Sequence, residues 1–418
     1  MHRISVFMAM VCMSFISSVF AQKDCSIDHL GKIPLTDLGE GFYRGFQGGL
    51  YPGGSNVRPA AHMAECISQV AQIQPLNLYG NPDTNGAIVM LGIGASNPMT
   101  EFQQFIEFSE GYAPVNDHLH IINACVGGQG IQKMYDITDN YWSGVANKLE
   151  SEGMSVDQVQ VLWIEQDNTN AYDTAFPSAP NALVDDFRLL LEVVRQLFPN
   201  IRICYITARA YAGFASPIDP DISGGLLYPR DYYNGWAVKF LVGKVIGHET
   251  GYAFEGPSAS IPLVTWGSYH WTDGSTPRLD GLYLDCEEDV GPDGLHLTGI
   301  GEYKMGQQLF EFFKSDETAA YWYYDDEYAG IDQPEKPRKA CIYPNPVSGE
   351  IVNVQLEHAI EENSGRYFIY DMQGGIIAFG TISAGGNTQI EVLGLVSGIY
   401  LMQIITETGT YTSTFVKQ

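Results

Sequence analysis

Positive charge is scarce in this chain. Lys and Arg total 22 of 418 residues against 49 Asp and Glu, a formal charge of -27. A nucleic-acid partner needs a basic footprint, and so does an anionic lipid surface, so both are excluded as main partners. Long apolar runs are also missing beyond the start of the chain. After residue 21 no stretch reaches the roughly 18 apolar residues of a spanning helix, which excludes a transmembrane segment in the mature chain. Cysteine is sparse at seven residues, and six remain once Cys12 is removed with the leader. That even number is compatible with disulfides in an oxidising compartment, whereas Cys125 and Cys204, in or beside apolar strands, read as core thiols. No Cys/His spacing suggests zinc, and no glycine pattern has the spacing of a dinucleotide or P-loop motif.

Apolar residues are plentiful. They make up 45% of the chain and aromatics 12%, enough for a sizeable core. The length predicts two or three domains. Residues 1–21 have a basic start at His2-Arg3, an apolar stretch from Ile4 to Phe20, and small residues at Val19 and Ala21. That is the pattern of a secretory signal peptide cut before Gln22. Residues 22–80 are rich in Gly, Pro and Tyr and predict loops, with one helix near 62–73.

From Ala87 onward short apolar runs alternate with amphipathic segments. Strands are predicted at 88–91, 120–122, 159–164, 201–206 and 263–266, and helices at 100–109, 181–197, 236–246 and 303–313. In the second helix Leu183, Phe187, Leu190, Val194 and Leu197 form one apolar stripe. Thr100 and Gln103 suggest a capping box for the first. Alternating strands and helices imply an α/β domain with a mainly parallel sheet covered on both faces, whose site lies beyond the carboxyl ends of the strands. After Lys314 the text changes. Residues 315–340 read as an acidic, aromatic and Pro-containing linker. Residues 341–418 are short alternating runs broken by Gly, Asn and Ser, predicting a small all-β sandwich.

Four segments of the central region, three after strands and one shortly before the last helix, carry chemistry-capable residues. Leu91-Gly92-Ile93-Gly94-Ala95-Ser96-Asn97 sets a serine between a strand and a helix. Asn123-Ala124-Cys125-Val126-Gly127-Gly128-Gln129-Gly130 is a glycine turn whose N–H groups can approach a ligand. Trp163-Ile164-Glu165-Gln166-Asp167 offers a side-chain amide. In Asp293-Gly294-Leu295-His296 the carboxylate can take the imidazole Nδ1 proton and leave Nε2 facing a nucleophile.

In order and position these four segments resemble the four blocks of the SGNH, or GDSL-like, hydrolases, and the resemblance covers about residues 85–315. It implies a flavodoxin-like three-layer α/β/α domain over 22–314 and a carbohydrate esterase-like activity on ester bonds. Ser96 would be the nucleophile, His296 the base and Asp293 its orienting group. The Ser96 and Gly128 N–H groups and the Gln166 amide would form the oxyanion hole. The chain departs from the family in two places. Ala95 stands where Asp is usual, and Gln166 stands where Asn is usual, one methylene longer. No cofactor and no metal are expected.

Trp266, Tyr269 and Trp271 fall between the last strand and the Asp-x-x-His turn, and are expected to bind substrate by stacking on sugar rings, with Asp273 and Arg278 on hydroxyls. Packing of these aromatics under the sheet is the alternative, and His270 is an alternative base. The acidic group Asp285, Glu287, Glu288 and Asp289 reads as a solvated surface, with calcium binding as the other option.

The last 78 residues resemble the C-terminal sorting domain of the type IX secretion system of Bacteroidota. The resemblance is carried by Tyr343-Pro344-Asn345-Pro346, Ile369-Tyr370-Asp371 with Gly374-Gly375, and Leu395-Val396-Ser397-Gly398-Ile399-Tyr400. It implies recognition by the type IX machinery and a secreted or cell-surface location. The expected function is a secreted serine esterase that deacylates a polysaccharide. The rivals are a non-catalytic carbohydrate-binding or surface protein on the same scaffold, and a purely structural or adhesive one.

Overall fold

The computed structural model describes residues 22–112, 114–216, 226–325, 338–360, 365–370, 376–382, 385–406 and 409–418. The expected signal peptide lies outside the described residues. The central sheet has five parallel strands: β1 (Ile88–Gly94), β2 (Leu119–Asn123), β3 (Val159–Glu165), β4 (Ile203–Ala208) and β5 (Leu263–Tyr269). Their order is β2-β1-β3-β4-β5, the flavodoxin-like winding, which reverses direction at β1. Strands β1, β3, β4 and β5 are buried along their whole length, because helices cover both faces of the sheet.

The helices are α1 (Ala60–Val70), α2 (Ser96–Glu110), α3 (Asn140–Ser151), α4 (Ser178–Leu197), α5 (Arg230–Ile246) and α6 (Gly299–Ser315). The stripe expected on α4 is buried at Leu183, Phe187, Leu190 and Val194. Helix α2 begins four residues before the expected start. Thr100 is not its cap; its hydroxyl donates to the Asn97 carbonyl at 3.0 Å. Pro98 in the first turn suits a helix start, since its missing N–H would lack a partner there anyway. Ser96 thereby becomes the first helical residue.

Part of the segment expected as a linker, 315–340, is packed on the α/β domain. Thr318, Ala319, Trp322 and Tyr323 are buried in the same core as the sheet. The Thr318 hydroxyl meets Tyr205 Oη at 2.6 Å, and Tyr323 Oη meets Ser109 Oγ at 2.8 Å. Trp322 and Tyr323 carry too much apolar surface to stay in water, whatever the acidity around them, whereas Tyr321 remains exposed.

Residues 341–418 form two antiparallel layers. One pairs 341–343, 351–360 and 385–391; the other pairs 409–417, 398–406, 365–370 and 376–382, with 338–339 added in parallel at its edge. Val352, Val354, Ile369, Ile390, Met402, Ile404 and Phe415 build a second core between them. The fold is α/β with a C-terminal all-β sandwich, as the sequence patterns predict. Among the described residues no helix is long and apolar enough to cross a membrane.

At the other end of the chain, Gln22–Lys23 pairs with Ala215–Ser216, and Cys25 is bonded to Cys286. Cys66, Cys125 and Cys204 are buried free thiols, and Cys341 is exposed.

Candidate active site

Three of the candidate segments leave the sheet at its carboxyl edge. β1 runs into α2 through Ala95, and the first N–H groups of α2 have no partner within the helix, so they favour negative charge at Ser96. The turn before α6 brings His296 to the same place. Ser96 Oγ lies 2.8 Å from His296 Nε2, and His296 Nδ1 lies 2.6 Å from Asp293 Oδ2. The second contact holds the Nδ1 proton on the carboxylate side, so Nε2 accepts from the serine hydroxyl.

The Asp293 carboxylate is itself fixed. Its Oδ1 accepts from the N–H groups of Leu295, at 3.0 Å, and His296, at 2.9 Å. Burial alone would raise this carboxyl, but the ring and N–H donors of His296 and Leu295 outweigh it and hold it below the usual range. Gly294 makes the turn possible. Its φ is +74°, and a Cβ there would stand 2.6 Å from the Phe214 carbonyl oxygen and the Ala215 Cα. Asn97 ties the two halves together by donating to the Leu295 carbonyl at 3.0 Å. The imidazole and Asp293 remain partly open to solvent, with side-chain exposures of 49% and 37%, so a substrate can reach them.

The glycine turn after β2 is held against the end of β1, where Val126 N–H donates to the Gly94 carbonyl at 3.0 Å. Gly128 is exposed at the tip with φ +73°, and its N–H has no partner among the described residues.

Gln166 is different. Its side chain is buried, and its amide nitrogen donates to the Gln129 carbonyl at 2.8 Å and lies 2.9 Å from Met134 Sδ. Both amide hydrogens are committed to these neighbours, so in this conformation neither is free for an oxyanion. The residue pins the glycine turn to β3.

The aromatic segment corrects the expectation of a sugar platform. Trp266, Tyr269 and Trp271 are 1%, 4% and 0% exposed. β5 continues to Tyr269, so these residues belong to a strand covered on both faces and to the turn just beyond it. Trp266 Nε1 donates to the Leu50 carbonyl, Leu35 N–H donates to Tyr269 Oη, and Trp271 Nε1 donates to Asp231 Oδ2. Asp273 accepts from the N–H groups of Leu30 and Lys32, and Arg278 donates to the Tyr269 and Trp271 carbonyls. These groups hold the N-terminal loops in place.

His270 is not at the surface either. It is fully buried, with Nδ1 3.0 Å from Glu101 Oε2 and 3.4 Å from Glu165 Oε2, and Nε2 2.7 Å from Ser268 Oγ. Burial opposes its charge, but the two glutamates win and push its pKa up to about 9. Burial and the neighbouring Glu101 push Glu165 up to about 8. Glu101, Glu165 and His270 also form a group whose ligand atoms all lie within 4.8 Å of one another. In the acidic group, Asp289 takes Lys304 Nζ at 2.6 Å, and Asp285 accepts from the N–H groups of Glu287 and Glu288. These two carboxylates shape a turn, while Glu287 and Glu288 are solvated.

Sequence reasoning passed over Arg209. It follows the end of β4, the edge that supplies three of the site segments, and position alone would have flagged it. It lines the pocket beside Ser96, together with Gln166, Thr169, Leu226 and Leu295.

Residues 341–418 match the family model of the secretion system C-terminal sorting domain. None of the curated proteins matches the chain in sequence. Among solved structures, a candidate SGNH hydrolase from Slackia heliotrinireducens is similar over 54% of this chain and 99% of its own, at 10% identity and a TM-score of 0.30. A gut microbial diltiazem-metabolizing enzyme is similar over 74% of this chain and 72% of its own, at 11% identity and a TM-score of 0.32. A DUF3244 family protein from Bacteroides vulgatus with an immunoglobulin-like β-sandwich covers 20% of this chain, at 17% identity and a TM-score of 0.16. The matched tail, with its own core and two antiparallel layers, is a type IX sorting domain, and the protein is exported across the outer membrane to the cell surface or beyond it.

Proposed function

We propose that the α/β domain, residues 22 to about 325, is an SGNH-type serine hydrolase of carboxylic esters. The observation that carries this reading is the continuous chain from Ser96 Oγ through His296 to Asp293, at 2.8 and 2.6 Å, at the open carboxyl edge of the sheet. A serine hydroxyl is a weak nucleophile until a base within about 2.6–3.2 Å takes its proton, and this spacing meets that need.

In the first step Ser96 Oγ bonds to the ester carbonyl carbon and its proton passes to His296 Nε2. The carbonyl electron pair moves onto oxygen, next to the Ser96 and Gly128 N–H groups. Collapse expels the alcohol, which takes the proton from His296. Water then repeats the sequence on the acyl-enzyme and releases the acid.

A polysaccharide ester as substrate rests on export alone, because the aromatics that suggested sugar stacking are core residues. A non-catalytic binding protein is the second reading, and the committed amide of Gln166 favours it, since a missing oxyanion donor costs about 2.7–4 kcal/mol of transition-state stabilisation. Hydrolysis of p-nitrophenyl acetate by the mature chain separates the two. Turnover that Ser96→Ala abolishes supports the enzyme. Absence of turnover in well-folded protein removes it.

A further inference from the structure

We propose that Arg209 is the third oxyanion donor of this site, acting where the family uses the amide that Gln166 has committed elsewhere. The inference rests on the esterase reading and adds a catalytic residue that none of the four sequence blocks contains.

Arg209 is 7% exposed and lines the pocket at Ser96. A guanidinium carries five N–H donors and no acceptor, and burying them unpaired is costly. Among the described residues not one of its guanidinium nitrogens makes a hydrogen bond. Its ion-pair partner, Asp167 Oδ2, stands 3.5 Å away, and Nη1 is both buried and without a hydrogen-bond partner. Asp167 is in any case shared: Arg230 lies 3.6 Å from its other oxygen, and Asn168 N–H and Asn234 Nδ2 also donate to it. The other nearby carboxylate, Asp231, accepts from Ala212 N–H and Trp271 Nε1. Arg209 is therefore held by its backbone, whose N–H donates to Asn234 Oδ1 at 3.2 Å, and by the ion pair of Nη1 with Asp167, while Nε and Nη2 make no hydrogen bond among the described residues and are the donors left for a ligand.

The pocket itself is small, about 40 Å³. At about 10–15 Å³ for each water-sized group it admits roughly three such groups, the size of an acetyl. An acyl group seated there puts its carbonyl oxygen beside Ser96 and Arg209, both of which line the pocket. As the oxygen gains the electron pair, a charged donor gains more than a neutral one. The substrate class that follows is a short-chain acyl ester, acetyl above all.

The test uses the mature full chain with Arg209→Gln and Arg209→Lys, acetate and hexanoate p-nitrophenyl esters, and methylboronic acid as a tetrahedral mimic. For Arg209→Gln, kcat on acetate should fall about 10²–10³-fold with KM little changed. Boronate affinity should fall in parallel with kcat/KM, which a residue that merely props Asp167 would not produce. Arg209→Lys keeps the charge beside Asp167 and so guards against misfolding; its kcat must fall as well. The wild type should prefer acetate to hexanoate.

Folded variants that keep wild-type kcat and boronate affinity would overturn the assignment while leaving the esterase standing. Preference for hexanoate would overturn the acetyl pocket. A wild type that neither hydrolyses acetate nor binds boronate would sink the esterase reading, and this inference with it.

Discussion

Replacing Trp271 by Ala distinguishes a core residue from a substrate platform. The indole is fully buried, with ring centroids 4.7 Å from Tyr232 and 5.7 Å from Tyr211, and its N–H donates to Asp231 Oδ2 at 3.0 Å. Truncating a buried Trp to Ala costs about 3–5 kcal/mol through lost transfer energy and the cavity left behind. Asp231 Oδ1 has no hydrogen-bond partner among the described residues, so losing the donor to Oδ2 leaves a buried carboxylate dependent on Ala212 N–H and adds about 1–3 kcal/mol. The sum, about 4–8 kcal/mol, is comparable to the whole stability of a typical domain, about 5–15 kcal/mol.

Urea unfolding followed by tryptophan fluorescence measures this effect. All six tryptophans of the chain lie in the α/β region, so the signal reports on that core. Trp271→Ala should lower the midpoint severely or leave the protein unfolded at zero urea. Trp271→Phe keeps most of the ring and should lose about 1–3 kcal/mol, chiefly the hydrogen bond. A Trp271→Ala protein with a wild-type midpoint and weakened binding of a carbohydrate ester would refute the core assignment and restore the platform.

Two further tests bear on the fold. Glu165 and His270 both hold protons in the folded state more tightly than their ordinary values of 4.5 and 6.5 allow, rising to about 8 and about 9. The folded protein therefore binds more protons than the unfolded chain over this range, and stability falls as pH rises. The melting temperature should decline from about pH 4.5, where Glu165 loses its proton in the unfolded chain, to about pH 9, where His270 loses its proton in the folded one. Glu165→Gln, which imitates the protonated acid, should flatten that decline; an unchanged profile would remove the buried group from the account. The Cys25–Cys286 bond closes a sequence separation of 261 residues, for which chain entropy gives an upper figure of about 5.6 kcal/mol. Cys25→Ser should therefore lower the unfolding midpoint by an amount measurable in urea, and a coincident curve would show the cross-link to be neutral.

Much of the fold was legible because it is written in local pattern. All five parallel strands and four of their helices announce themselves by apolar runs and a 3.6-residue stripe, and order along the chain singles out Ser96, Asp293 and His296, which the fold brings within hydrogen-bond distance. The misreadings came from long-range contacts. The indoles at 266 and 271 look like a loop platform because a strand covered on both faces has no polar alternation to mark where it ends. The start of α2 was hidden by the capping-box pattern at Thr100 and Gln103, whereas Pro98 in its first turn was the better guide. The commitment of Gln166 depends on Gln129 and Met134, which only the folded turn brings within reach. Arg209 carries no motif at all; only the geometry of the sheet edge singles it out.

The central claim is that Ser96 is a nucleophile activated by His296. Exposure of the mature protein to a fluorophosphonate, followed by peptide mass spectrometry, tests it directly. The account predicts one covalent adduct, on Ser96, absent in Ser96→Ala and formed much more slowly in His296→Ala. No adduct on folded protein, or an adduct that persists in Ser96→Ala, would contradict it.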